Sequence, residues 1–296
     1  MGALEKEQSL AAQLRFTPIP GAPFGVEVNG LEWGRHDAES IRLLTIALRR
    51  HLLILFRGQP SPSEQELDTF LRCFGRLVLD TEDGKFHYRK HLDRTGPASA
   101  LMKENLHNIQ RAADNTGSTY YAPSEYGASE LIWHTDQAHK PQLKIISVLE
   151  AMDFEPGAVP TIFRDMYTAY EMLPRDLRSE LEFRQLAFYD PRLPGPDEQP
   201  RLGDAMHPLF IPHPQTGRRS IYANDSVDRI IGLDRAESDR ILKMLREHTD
   251  RNAPHFTHQW RTGDLVIWDN IGIHHRRDAV PPKQRRRLRQ HGGVAE

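Results

Sequence analysis

Runs of large apolar residues, broken by turn-forming clusters, set the rhythm of this chain. The segment HLLILFRGQ, residues 51–59, is continuously apolar until Arg57 and is closed by Gly58 and Pro60, the pattern of a buried strand entering a turn. In SPSEQELDTFLRCFG, which follows, Leu67, Phe70, Leu71 and Phe74 recur at helical spacing with Gly75 as a stop signal, and Cys73 falls inside that helix, where burial is expected. From residue 131 onward short strand-like runs dominate: LIWHTD, LKIISVLEAM, VPTIFRDM, RRSIYAN, HFTHQW, DLVIWDN and RRRLRQ. Two helices interrupt them. YEMLPRDLRSEL carries Tyr170, Leu173, Leu177 and Leu181 on one face, and DRAESDRILKMLREH opens with Asp234 and Glu237 in capping-box spacing. Many short strands separated by turns, without an internal repeat, predict a mainly β fold with helical insertions: a double-stranded β-helix of jelly-roll, cupin-like type, forming one domain over residues 1–296.

Residues 78–130 break the rhythm. They are polar, rich in Asp, Asn, Ser and Gly, with Tyr120, Tyr121 and Tyr126 dispersed among them. A long irregular stretch in a compact enzyme predicts a lid or substrate-binding insertion, with plain disorder as the alternative.

Composition narrows the partners. With 39 Lys+Arg against 41 Asp+Glu, the net charge of −2 gives no electrostatic reason to expect nucleic acid or a membrane surface, so a small molecule is the expected partner. The single cysteine, Cys73, excludes an intramolecular disulfide and a thiolate cluster, so any metal must be held by nitrogen and oxygen. No run of about 18 apolar residues occurs and the first residues, MGALEKEQSL, lack a signal-like apolar core, which predicts a soluble cytoplasmic protein.

The pattern His-x-Asp occurs at His91-Leu92-Asp93, His134-Thr135-Asp136 and His248-Thr249-Asp250, among 15 histidines. Two residues along a helix turn by about 200°, so His248 and Asp250 diverge. His91 and Asp93 lie in the charged stretch HYRKHLDR, with no apolar run to hold them rigid. His134 and Asp136 follow Leu131, Ile132 and Trp133; on a strand they project from one face about 6.6 Å apart, close enough to converge on one ion. A hydrogen-bonded pair at a strand end is the alternative. In GDLVIWDNIGIHHRRD, residues 263–278, Asp269, Asn270, His274 and His275 are candidates for a third ligand. Two histidines and one carboxylate leave three positions of an octahedral ion open, as in non-haem Fe(II) oxygenases.

In QRRRLRQ, residues 284–290, period-two alternation places Arg286, Leu288 and Gln290 on one face and Arg285, Arg287 and Arg289 on the other. Leu288 marks the first of these as buried. A buried arginine needs an anionic partner, and its planar fork suits a carboxylate, so Arg286 is the expected holder of a dicarboxylate co-substrate.

The ordered series GVEVNGLE, HLLILFRGQ, WHTD, PTIFRDMYTAYEMLP, HPLFIPHPQTGRRSIYAN and GDLVIWDN resembles the taurine dioxygenase / 2,4-dichlorophenoxyacetate dioxygenase family of Fe(II)- and 2-oxoglutarate-dependent oxygenases, over nearly the whole chain. The resemblance implies His134 and Asp136 as the first two iron ligands and His275, five residues after Asn270, as the third. It implies Arg286, eleven residues further on, for the distal carboxylate of 2-oxoglutarate, assisted by Thr161. Relatives commonly read Gly-Gly-Asp before that threonine, where this chain has Ala158-Val159-Pro160. Many carry a second arginine, used for an anionic substrate group, where this chain has Gln290. That departure points away from a sulfonate or carboxylate at this place. Gln290, His87, Tyr120 and Tyr121 are the candidate substrate contacts.

The activity implied is oxidation of a small organic molecule by O2 with decarboxylation of 2-oxoglutarate to succinate and CO2. Hydroxylation is the commonest outcome; desaturation and ring formation use the same site. The setting is secondary metabolism or xenobiotic catabolism. Asp136 argues against halogenation, in which a small residue opens that position to chloride. A zinc hydrolase using the same ligands and a non-catalytic binding protein are the competing readings; neither produces succinate in an O2-dependent way. Family members are often dimers or tetramers, so a homo-oligomer is consistent with the resemblance. Trp133 and Trp268 are read as core packing and Asn224 as a residue that satisfies backbone; His274 is a neighbour without an assigned role.

Overall fold

The apolar runs become the strands of two principal sheets. The computed structural model describes residues 10–78, 120–121, 130–188, 205–281 and 284–295. The larger sheet has the order β1 (Arg15–Pro18), β2 (Val26–Asn29), β3 (Leu53–Phe56), β15 (Leu265–Asp269), β7 (Lys144–Phe154), β17 (Arg286–Ala295), β4 (Arg76–Val78), with β5 (Tyr120–Tyr121) also paired to β17. All of its pairings are antiparallel except β2 with β3. The smaller sheet runs β14 (His255–His258), β8 (Thr161–Asp165), β16 (Ile273–Arg277), β6 (Leu131–His134). A three-stranded sheet of β10 (Ala205–Pro208), β9 (Gln185–Phe188) and β13 (Val227–Ile230) and a pair β11 (Phe210–Pro212) with β12 (Arg219–Ile221) complete the strands described.

The two principal sheets close on one apolar cluster. Phe163, Phe256 and Ile273 of the smaller meet Leu55, Ala151, Val266, Trp268 and Leu288 of the larger. The other face of the larger sheet is also covered: Ile54, Phe56, Val148, Leu265 and Ile267 pack with Leu44 and Leu48 of helix α1 (Ala38–His51) and Leu67, Phe70 and Leu71 of α2 (Glu64–Arg72). Burial on both faces is why β3 and β15 read as continuous apolar runs rather than alternating ones. β14, with His255 and Thr257 exposed, alternates.

Local structure departs from the sequence reading at four places. Helix α1 was not anticipated; Asp37 caps it by accepting from Ser40 N, and it ends on Leu52 at φ 64°. That residue type does not announce a left-handed stop, which is ordinarily glycine. The helix expected across residues 170–181 is two, α3 (Met166–Glu171) and α4 (Arg175–Leu181), because Pro174 takes extended geometry between them. Asp234 caps α5 (Arg235–Asn252) as expected, but the Glu237 carboxylate binds Arg240 instead of completing a capping box. Cys73 is exposed at the C-cap of α2 rather than buried inside it.

Candidate active site

Antiparallel pairing of β6 and β16 sets His134 directly opposite His275, with ring centroids 4.1 Å apart. Asp136 follows two residues after His134, and its Oδ1 lies 3.9 Å from Nε2 of His134 and 3.6 Å from Nε2 of His275. One donor atom from each of the three falls within 4.8 Å of the others. A first-row ion about 2.1 Å from each donor places adjacent octahedral donors about 3 Å apart, so a small inward movement completes such a site. The donor set itself, two imidazoles and a carboxylate with further positions open, is the one non-haem Fe(II) oxygenases use. The residues present therefore fit iron.

The surroundings prepare these donors. His134 Nδ1 lies 2.7 Å from the carbonyl of Ile132; a carbonyl only accepts, so Nδ1 carries the proton and Nε2 offers its lone pair. His275 is buried against the rings of Phe163 and Trp268, which also contact each other. Burial, with His134 alongside, pushes it down to about 3, so the imidazole is neutral near pH 7 with a lone pair to offer an ion. Burial pushes the Asp136 carboxyl up, but nearby His275, Lys144 and His134 and the Ser147 hydroxyl outweigh this and hold it below its ordinary range. With His275 neutral, Lys144 and Ser147 carry that effect near pH 7.

The turn after β15 fastens the His134–Asp136 segment. Asn270 Oδ1 accepts from the Asp136 amide at 3.0 Å, and Asn270 Nδ2 donates to the Asp136 carbonyl at 3.0 Å and the Lys144 carbonyl at 2.9 Å. The Thr135 hydroxyl donates to the carbonyl of Asn270. Asp269 is not at the site; its Oδ1 accepts from the amides of Ile271 and Gly272, and its Oδ2 from the Tyr167 hydroxyl at 2.8 Å. Asp269 and Asn270, candidate ligands in the sequence, thus build the turn that presents His275. His274 is fully buried, and neither ring nitrogen has a hydrogen-bond partner among the described residues.

Arg286 points inward as the alternation required and is 6% exposed. Its Nε donates to Val159 O at 2.7 Å and Nη2 to Thr161 Oγ1 at 3.2 Å, and Trp260 Nε1 donates to the same hydroxyl at 2.9 Å. Those acceptors are neutral. Burial, with Arg277 adding repulsion, lowers Arg286 to about 9, so it remains charged at neutral pH and an anion beside it relieves the strain. Thr161 and Arg286 meet despite the Ala158-Val159-Pro160 departure. Arg289 corrects the expectation that the opposite face of β17 is solvated: it is buried against Glu150, because the start of α2 covers that end of the strand. Arg287 is exposed.

The structure brings Gln290 to Asp136, where its Nε2 donates to Oδ2 at 3.0 Å. The backbone of Tyr120 and Tyr121 pairs with Arg289 and Leu288 of β17. His87, Tyr126, His91 and Asp93, with most of the 78–130 segment, lie outside the described residues. Trp268 is core; Trp133 is half-buried under the Arg164 guanidinium, 4.1 Å away; Asn224 accepts from Ser226 N. His248 bonds the Ala169 carbonyl while Asp250 pairs with Arg164, so they diverge as expected. Lys144, Ser147, Trp260 and Arg277 escaped the sequence reading; Lys144, a charge inside an apolar strand run, was the one visible signal among them.

Residues 15–291 match the family described as "Taurine catabolism dioxygenase TauD, TfdA family". Pentalenolactone F synthase of Streptomyces avermitilis is 30% identical over 308 residues, covering 95% of this chain and 94% of that protein. The alpha-ketoglutarate-dependent 2,4-dichlorophenoxyacetate dioxygenase of Cupriavidus pinatubonensis is 29% identical over 246 residues, 80% of this chain and 83% of its own. Among solved structures, AAD-2 in complex with Mn(II) and N-oxalylglycine superposes with a TM-score of 0.69 at 21% identity, covering 95% of this chain and 96% of that one, a likeness of fold. On these matches the chain belongs to the TauD/TfdA family and is an Fe(II)- and 2-oxoglutarate-dependent dioxygenase acting on a small molecule.

Proposed function

We propose that His134, Asp136 and His275 hold the iron, that Arg286 and Thr161 hold 2-oxoglutarate, and that the substrate is a natural-product intermediate without an anionic group at Gln290. The observation that carries this reading is the convergence of the three donors within 4.8 Å from segments far apart in the chain. Bound there, Fe(II) with 2-oxoglutarate and O2 supplies the oxidising power to remove a hydrogen atom from a substrate carbon, releasing succinate and CO2.

The chain's own residues orient and exclude. Arg286 keeps N–H donors beyond those given to Val159 and Thr161, and a buried fork of this kind binds a carboxylate bidentately. Thr161, held by Trp260, fixes one edge of that fork. Phe163 and Trp268 together cover one side of His275 and keep water from it. The likeness to pentalenolactone F synthase over 95% of the chain supports a natural-product substrate, and the Gln290 amide in place of a guanidinium supports a neutral group there.

The two principal sheets, sharing one core, support a double-stranded β-helix, and one catalytic domain is read over residues 1–296 with 78–130 as its substrate-binding insertion. No described helix is long and apolar enough to cross a membrane. A cytoplasmic enzyme, without nucleic-acid or membrane partners and assembling as a homo-oligomer, is part of the same proposal. The test is succinate release from 2-oxoglutarate, with Fe(II), in air and without it, across a library of neutral natural-product intermediates. His134→Ala and Asp136→Ala should each abolish the O2-dependent, substrate-stimulated release with the fold retained. Unchanged activity in either variant removes the assignment.

A further inference from the structure

The two oxygens of Asp136 have different company. Oδ1 faces His134 and His275. Oδ2 accepts from Ser147 Oγ at 2.6 Å and from Gln290 Nε2 at 3.0 Å, and Lys144 Nζ stands 3.9 Å from it. These three side chains come from the paired strands β7 and β17, where Gln290 sits opposite Leu149. Lys144 is fully buried, and its stem crosses Gly293 so closely that a Cβ there would lie 2.1 Å from Lys144 Cε. The surroundings of Oδ2 are thus built from two hydrogen-bonded strands of the larger sheet.

We propose that Gln290, with Ser147 and Lys144, is a positioning residue of the metal centre that makes Asp136 a ligand through Oδ1 alone. The inference rests on the reading of His134, Asp136 and His275 as the metal site. Its reason is a count of coordination positions. A carboxylate free to turn loses the fixed aim of Oδ1 at the ion and so holds it less well, and where it does bind through both oxygens the strained four-membered chelate uses a fourth of six octahedral places. Chelation by 2-oxoglutarate needs two and O2 one, so all three places left by single-oxygen binding are required. Holding Oδ2 in hydrogen bonds preserves them. An amide does this without charge, whereas a guanidinium at residue 290 would set a second cation beside Lys144 against the same carboxylate. The position that many relatives use for a substrate anion serves the metal here.

The test uses the full-length chain, stripped of metal by a chelator and titrated with Mn(II), the loss of the free-ion electron paramagnetic resonance signal reporting binding. Partners that orient metal ligands commonly contribute 10- to 100-fold in affinity. Gln290→Met, close in volume but without the donor, should weaken Mn(II) binding about tenfold or more, with the melting temperature of the metal-free protein within a few degrees of wild type. Gln290→Asn, one methylene short, should behave like Gln290→Met, which separates this hydrogen bond from polarity alone. Ser147→Ala should weaken binding through the same oxygen and carries the test should Gln290→Met not fold. Mn(II) affinity within twofold of wild type in Gln290→Met, or in Ser147→Ala where that variant stands in, overturns the inference. His134→Ala is run alongside: if it keeps wild-type affinity, the metal-site reading itself falls, and if it loses affinity while the Gln290 variants do not, only this inference does.

Discussion

Replacing Arg286 by alanine tests the proposed hold on 2-oxoglutarate. The guanidinium offers five N–H donors, and its bonds to Val159 O and Thr161 Oγ1 engage two, leaving an edge for a carboxylate. It is 6% exposed, so a pair formed there is desolvated. Truncating one member of a buried, hydrogen-bonded charge pair costs about 2–5 kcal/mol, which is about 30- to 4,000-fold in affinity. The unliganded protein should not suffer in proportion, because Arg286 gives its hydrogen bonds only to neutral acceptors while burial already opposes its charge. The assay is calorimetric titration of 2-oxoglutarate into Mn(II)-loaded protein without O2, with thermal unfolding of the unliganded variant beside it. Arg286→Lys should recover part of the affinity, having the charge but not the fork. Arg287→Ala, on the exposed side of the strand, should bind as wild type. Arg286→Ala binding within about threefold of wild type, or Arg287→Ala weaker than Arg286→Ala, would refute the reasoning.

Three other outcomes follow from the same structure. Arg289→Ala leaves the fully buried Glu150 without its guanidinium and should cost about 3–5 kcal/mol in urea unfolding; a loss below about 1 kcal/mol contradicts the buried pair. Gly293→Ala drives a methyl to 2.1 Å from both Ile146 O and Lys144 Cε, so the metal-free melting temperature should fall sharply, and a wild-type value would show that Lys144 takes another path. Burial holds His207, His258 and His274 below the ordinary histidine value. The unfolded chain takes up these protons near pH 6.5 while the folded chain resists, so stability should drop as pH falls below about 6.5, by up to about 1.4 kcal/mol per pH unit for each histidine. Melting curves of metal-free protein between about pH 5 and 7.5 measure this, and His207→Phe, set among Phe188 and Tyr222, should flatten the slope; a slope unaltered by it speaks against a buried neutral His207.

Periodicity and spacing carried much of this site. The strand alternation that put Arg286, Leu288 and Gln290 on one face is local geometry, and all three do face inward. The His134–Asp136 spacing by itself left a metal arm and a strand-end pair both open; the two side chains converge because both project from one end of β6 and its extension. Continuous apolar runs at β3 and β15 marked a sheet covered on both sides. What periodicity reports is which face a side chain takes, not what lies across from it. Arg289 sits on the face opposite Arg286 and is buried all the same, because Pro62 and Glu64 come to lie over it from more than two hundred residues away. Helix α1 escaped because its stop is a leucine at positive φ, and residues 170–181 split because Pro174 outweighs the apolar spacing around it. The orientation of Asp136 was decided entirely in three dimensions. Ser147 and Gln290, 11 and 154 residues from it along the chain, meet the same oxygen only because β7 and β17 pair in the register that packing selects. Donor types and strand faces belong to the chain itself, since they follow from residue chemistry and backbone period; the division of labour between the two oxygens of one carboxylate belongs to the fold, since contacts over such separations exist only once the sheets have closed.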